Sequence, residues 1–115
     1  MAIRTFQISS YTVTLGDKMT ASFGGTTIKA RGVISCIGPD DQRVVAYFLS
    51  ADSPVPAPTT TVGGKWGPIF LEKELMGQWI DLLRNETPLY GYINTDHPEW
   101  TNISTSTEPV GEHEV

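Results

Sequence analysis

Apolar and polar residues alternate along the first part of the chain with the two-residue period of β-strands. The alternating apolar residues are Phe6 and Ile8, followed in the opposite parity by Tyr11, Val13 and Leu15. A change of parity turns side chains to the other face of a sheet unless an extra residue absorbs it. We therefore predict a bulge or bend at Ser9-Ser10.

Glycine, proline and aspartate divide the next stretch into strands. Gly16-Asp17 predicts a hairpin turn, Gly24-Gly25 ends the following strand, and residues 38–41 combine Gly, Pro and two Asp in a strong turn pattern. Between these turns we predict strands over residues 18–23, 26–37 and 44–49, with a bend at Arg31-Gly32. The unbroken apolar run of residues 44–49 predicts a central strand that is covered on both faces.

Residues 70–84 have the three- and four-residue spacing of an amphipathic helix. Its apolar stripe consists of Phe70, Leu71, Leu75, Met76, Trp79, Ile80, Leu82 and Leu83. The rest of the chain has the pattern of strand or turn, so this stripe must be buried on a sheet. Gly77, in the helix interior, predicts close packing against another backbone.

The segments on either side of the helix have their own patterns. Pro54, Pro56 and Pro58 predict an extended connector without ladder pairing over residues 52–61, with a short strand at 59–62 and a loop at 63–68. After the helix we predict a strand over residues 89–94, a turn over 95–100 and a last strand over 101–107. Alternation in the first of these strands puts Leu89, Gly91 and Ile93 on one face and the tyrosines on the other.

These elements predict the α+β class. We expect a curved antiparallel sheet, or a partly open small β-barrel, of about six strands with one amphipathic helix, about residues 70–84, packed on it. A chain of 115 residues has single-domain length. We assign residues 1–107 to one domain and residues 108–115 to an acidic C-terminal tail.

Charge and cysteine content narrow the function classes. The net charge is near −5, and no Lys or Arg follows Arg84, which argues against sequence-independent nucleic-acid binding. No apolar run has signal-peptide or membrane-helix length, so we expect a cytoplasmic protein with no membrane association. Cys36, the only cysteine, lies in an apolar run and is expected to be buried and unreactive.

Asp96, His97 and Glu99 form the densest group of ionisable residues. A histidine beside carboxylates can act as an acid–base catalyst, and these side chains could also ligate a metal. The Asp-His-Pro sequence is equally typical of a turn, which is the simpler interpretation. We expect neither a bound metal nor a cofactor. Gly63-Gly64-Lys65 lacks the spacing of a phosphate-binding loop.

Four aromatic residues could line a ligand site: Trp66, Tyr90, Tyr92 and Trp100. Such a lining suits a small apolar or aromatic ligand, or a peptide. In the alternative interpretation the tyrosines border the core with their hydroxyls pointing outward.

The leading functional hypothesis is a small soluble binding or assembly module, homo-oligomeric, that recognises an apolar or aromatic small ligand or a partner chain. It would use a sheet edge or a cleft between the helix and the strand of Tyr90 and Tyr92. One alternative is a small barrel enzyme of the isomerase, cyclase or hydrolase type, with His97 oriented by Asp96 or Glu99. Another is a structural subunit of a larger assembly.

Overall fold

The computed structural model describes residues 3–106, which contain seven β-strands and one α-helix and confirm the α+β class. The elements are β1 Ile3–Gln7, β2 Ser10–Phe23, β3 Thr26–Ile37, β4 Arg43–Leu49, β5 Trp66–Glu72, α1 Met76–Asn85, β6 Leu89–Asn94 and β7 Asn102–Thr105. Short 3₁₀ turns at Pro39–Asp41, Lys73–Leu75 and Pro98–Trp100 join some of them. The predicted acidic tail at 108–115 lies outside the described residues.

The strands form two sheets, with the orders β1-β6-β7 and β2-β3-β4-β5. Neighbouring strands are antiparallel except β4 and β5, which are parallel. Over the described residues the sheets do not close into a barrel, so the curved-sheet form of the prediction is the one observed. The parallel pair departs from the antiparallel expectation, because the proline connector is long enough to return the chain to the start of a parallel strand.

The change of parity at Ser9-Ser10 marks the point where the chain passes from one sheet to the other. The backbone N–H of Ile8 donates to the carbonyl of Leu89 in the first sheet, at 2.8 Å. The next N–H, of Ser9, donates to the carbonyl of Ile37 in the second sheet, also at 2.8 Å. The predicted bend is therefore confirmed, and it also links the two sheets.

Gly16-Asp17 does not form the predicted hairpin turn, and that prediction was wrong. Strand β2 runs through it, with Leu15 opposite Gly32 and Met19 opposite Ala30, so three residues of β2 face one residue of β3. The result is a bulge, for which a Gly-Asp pair is as well suited as for a turn. The hairpin turn lies at Gly24-Gly25, where φ values of +55° and +85° favour glycine.

The predicted bend at Arg31-Gly32 is a second irregularity, on the side of β3 that pairs with β4. Ala30 lies opposite Leu49, whereas Gly32 lies opposite Phe48, so Arg31 is the extra residue. Since Phe48 and Leu49 point to opposite faces of β4, the bulge transfers the buried residues of β3 from one face to the other.

The main core lies between the two sheets and the helix. Its buried residues are Phe6, Ile34, Cys36, Val44, Ala46, Phe48, Leu83, Leu89 and Ile93. A smaller cluster covers the opposite face of the second sheet, and its buried members are Ile28, Ala30 and Leu49. Strand β4 contributes to both clusters, which confirms that it is covered on two faces.

The predicted helix is present, but it begins at Met76 rather than Phe70, after a 3₁₀ turn. Residues 70–72, and the predicted loop at 66–68, belong to β5, where Phe70 lies opposite Tyr47 and stacks on it at 5.9 Å. Pairing with β4 overrides the helical spacing of those residues. A Cβ atom at Gly77 would meet nothing within 4 Å, so the predicted close packing there was wrong.

Candidate functional site

The acid–base candidates lie on one exposed turn. The side-chain oxygen of Asn94 accepts hydrogen bonds from the backbone N–H groups of Asp96 and His97, both at 3.0 Å. This is the turn chemistry expected of a short amide side chain. The turn therefore has a structural explanation that requires no catalytic role for His97.

The imidazole of His97 contacts two neighbours on the same turn. It stacks on the Trp100 ring with centroids 4.1 Å apart, and its Nδ1 lies 3.4 Å from a carboxylate oxygen of Glu99. Both ionisable side chains are about half exposed, and Trp100 is 52% exposed. Of the predicted residues, His97, Glu99 and Trp100 are thus brought into contact on a solvent-exposed turn.

The other predicted aromatic residues lie in two different places. Tyr90 and Tyr92 are on β6, on the face opposite the buried Leu89 and Ile93, and the Tyr92 hydroxyl accepts a hydrogen bond from Asn94 at 3.2 Å. Since alternate residues of a strand point to opposite faces, the tyrosines point away from the main core.

Trp66 lies at the start of β5 in the second sheet. Its indole N–H donates to the carbonyl of Asp41 at 2.9 Å, and the Arg43 guanidinium lies 4.6 Å from its ring centroid. Arg43 in turn donates to the Asp41 carboxylate at 2.8 Å. These contacts join the turn before β4 to the start of β5, so Trp66 has a structural role there.

The clearest cavities of the described chain do not use the predicted aromatic residues. Four cavities of about 250 to 460 Å³ are lined by other side chains, and only Glu99 of the predicted site residues reaches one of them. Among residues 3–106, no group of three or more His, Cys, Asp and Glu side chains could hold a metal ion. These cavities therefore do not correspond to the predicted aromatic ligand site.

Comparison of the chain with known protein families, curated proteins and solved structures finds no match. No helix within residues 3–106 is long and apolar enough to cross a membrane.

Most sheet edges in the described chain carry a feature that discourages pairing with another strand. Strand β7 has only four residues, and β1 has five with Arg4 among them. Beside β5, Thr61 bridges to Trp66, and prolines of the connector line a groove with Pro68. Short strands, charges and prolines are the usual protection of sheet edges.

The first half of β2 lacks such protection. In residues 3–106, no strand pairs with the outer edge of β2. From Ile8 to Leu15 the sequence contains no charged residue, no proline and no glycine, and it is rich in residues that favour strands. We call residues 10–15 of β2 the edge segment.

The edge segment also exposes apolar side chains. Val13 is 38% and Leu15 66% exposed, on the face of β2 that lies beside Ile34 of the main core and the buried Gly32. Met76, at the start of the helix, occupies the space above Gly32. The Leu15 side chain borders the same space from β2, the edge strand. The helix thus covers the core but leaves Leu15 accessible to a partner.

Charged residues mark where the edge segment ends. At the bulge Asp17 pairs with Arg31 at 3.4 Å, and beyond it Lys29 pairs with Asp52 at 3.1 Å. The hydrogen bond and charge of Lys29 lower the pKa of the Asp52 carboxyl below its usual value. The bulge and Asp17 therefore separate the edge segment from the second half of β2.

Sequence reasoning did not single out the edge segment. Its uncharged run is visible in the sequence, but its position at an open edge depends on the strand order. The predicted hairpin at Gly16-Asp17 would have paired the two halves of β2 with each other, whereas both halves pair with β3.

Proposed function

We propose that this protein is a non-enzymatic assembly module that binds a partner chain by adding a strand to the edge segment. One observation carries the proposal: a six-residue, uncharged stretch on an open sheet edge, with Val13 and Leu15 exposed. The free cysteine is buried and needs no oxidising compartment, which is consistent with the cytoplasmic location that we propose.

Strand addition satisfies two requirements of this surface together. A partner strand pairs with the outward backbone N–H and C=O groups, and its side chains cover the exposed apolar ones. Removing half of a leucine side chain from water stabilises the complex by on the order of 1 kcal/mol. Backbone pairing gives affinity, and the alternating apolar positions select a partner with the same alternation.

The enzyme alternative has less support from the geometry. His97 lies on an exposed turn, and its ring is engaged by Trp100 and Glu99. The turn explains these residues without a substrate, so we do not propose acid–base catalysis.

Lysine substitutions on the edge segment test the proposal. We expect Val13→Lys and Leu15→Lys each to weaken association at least tenfold, because a charge must then be buried beside the added strand. Val62→Lys is the matched control, since Val62 is 53% exposed but lies in a loop outside the edge segment. Each melting temperature should change by less than about 4 °C, because exposed substitutions cost little stability.

Two measurements report association in these variants. Light scattering after size-exclusion chromatography gives the molar mass of the protein over a range of concentrations. Fluorescence anisotropy follows binding of a labelled peptide that carries residues 8–15 with a short lysine extension for solubility. Self-association or peptide binding that both edge variants lose and Val62→Lys keeps supports the proposal. A monomer that does not bind the peptide, or equal effects in all three variants, contradicts it.

A further inference from the structure

Building on the proposed function, we infer that the partner strand is the edge segment of a second copy of this chain, paired antiparallel about a two-fold axis at Val13. Closed two-fold dimers are the commonest protein assemblies, and they require a surface that is complementary to itself. The edge segment meets this requirement in its sequence.

Symmetry limits the possible registers. A two-fold axis perpendicular to an antiparallel pair passes between two directly opposite residues, so one residue must face its own copy. With Val13 on the axis, Tyr11 faces Leu15 of the second copy. On the other face of the ribbon, Thr12 faces Thr14 of the second copy. Each apolar side chain then meets an apolar one, and each threonine meets a threonine.

The neighbouring registers fit less well. An axis at Thr12 places Leu15 opposite Ser9, so the most exposed apolar side chain of the segment meets a polar residue. An axis at Thr14 places Tyr11 opposite Asp17 and extends the pairing into the bulge. Of these three registers, only the axis at Val13 gives Tyr11, Val13 and Leu15 an apolar partner each.

The charge of the edge segment and the size of the joined sheet are both compatible with a second copy. Each chain carries a net charge near −5, but the edge segment has no charge, so the surfaces in contact do not repel each other directly. Six residues span about 20 Å of strand, and two four-stranded sheets join into one eight-stranded sheet, a size that open sheets commonly reach. An interface this small lies at the weak end of known interfaces, so we expect a reversible dimer with a dissociation constant on the order of 10 μM.

Disulfide trapping tests the register. Val13→Cys places two thiols directly opposite each other and should give a disulfide-linked dimer under mild oxidation. Leu15→Cys is the matched control, because residue 15 lies on the same strand and face as residue 13 and is more exposed. In the proposed dimer, however, residue 15 of one chain and residue 15 of the other lie four residues apart along the strand, about 14 Å. That distance exceeds the reach of a disulfide, about 7 Å between Cα atoms, so we expect linkage at least tenfold slower.

The native cysteine does not compete in this experiment. Cys36 is fully buried in the main core, and desolvation by burial raises the pKa of its thiol to about 12. Since the thiolate is the reacting form, Cys36 should remain unmodified in the folded protein.

The outcomes separate this inference from the proposed function. Fast linkage of Val13→Cys and slow linkage of Leu15→Cys support the two-fold dimer. A wild-type oligomer in which Leu15→Cys links as fast as Val13→Cys, or neither links, overturns the register at Val13 but leaves strand addition standing. A wild-type monomer that binds the peptide of residues 8–15 overturns the second copy as partner and supports the proposed function. A monomer that does not bind the peptide overturns both.

Discussion

Replacing Gly91 with alanine is expected to lower the melting temperature by about 4–20 °C. A Cβ atom at this position would lie 2.6 Å from Cζ and 2.8 Å from Cε2 of the buried Phe6 ring. The ring is confined on another side by Gly38, where an added Cβ would also collide with it. Overpacking of this kind costs about 1–3 kcal/mol, and each kcal/mol shifts the midpoint of a domain this size by about 4–8 °C. Thermal unfolding followed by circular dichroism measures the effect.

Gly77→Ala is the control for this substitution. Gly77 lies in the first turn of the helix with nothing within 4 Å of the added Cβ, so alanine should stabilise the helix, by less than the about 1 kcal/mol expected in a helix interior. The two Gly→Ala changes are therefore expected to move the melting temperature in opposite directions. If Gly91→Ala were as well tolerated as Gly77→Ala, Phe6 would not be packed between the glycines as described.

Replacing Phe48 with alanine is expected to cost about 3–5 kcal/mol of unfolding free energy. Phe48 has no exposed surface, and its ring meets Trp79 of the helix edge-to-face at 5.9 Å. Truncation removes this contact and leaves a cavity beneath the helix. Because domains of this size have only about 5–15 kcal/mol of stability, much of the protein should be unfolded at moderate urea concentrations. Urea unfolding followed by Trp fluorescence gives the free-energy difference.

Tyr47→Ala provides the comparison on the neighbouring residue. Tyr47 points to the other face of β4 and is only partly buried, against Phe23 and Phe70. We expect it to cost about half as much as Phe48→Ala. Equal costs for the two would mean that the helix-covered face is not the dominant core.

The helix could be predicted because its apolar stripe is a local sequence pattern. Its first residue could not be predicted in the same way. Residues 69–71 are all apolar and satisfy either a helix or a buried strand. The choice depends on β4, which lies more than twenty residues earlier in the chain and pairs with β5 in parallel. Information of this kind is absent from a short window of sequence.

The candidate site residues show the same difference between local and long-range information. Residues 96–100 were grouped because they are adjacent in sequence, and one turn brings them together. Trp66 and Tyr92 were grouped by residue type alone, and the fold places them in different sheets. The edge segment required the strand order, because an uncharged strand in the middle of a sheet would be ordinary core.

Amide hydrogen exchange at increasing protein concentration most directly tests whether the edge segment is the association surface. We expect exchange in residues 10–15 to slow as the concentration rises, while residues 19–23 of the same strand keep their rate. The Leu15→Lys variant should show no such dependence. Protection that is independent of concentration over residues 10–15, or that appears at β1 or β7 instead, would contradict the account.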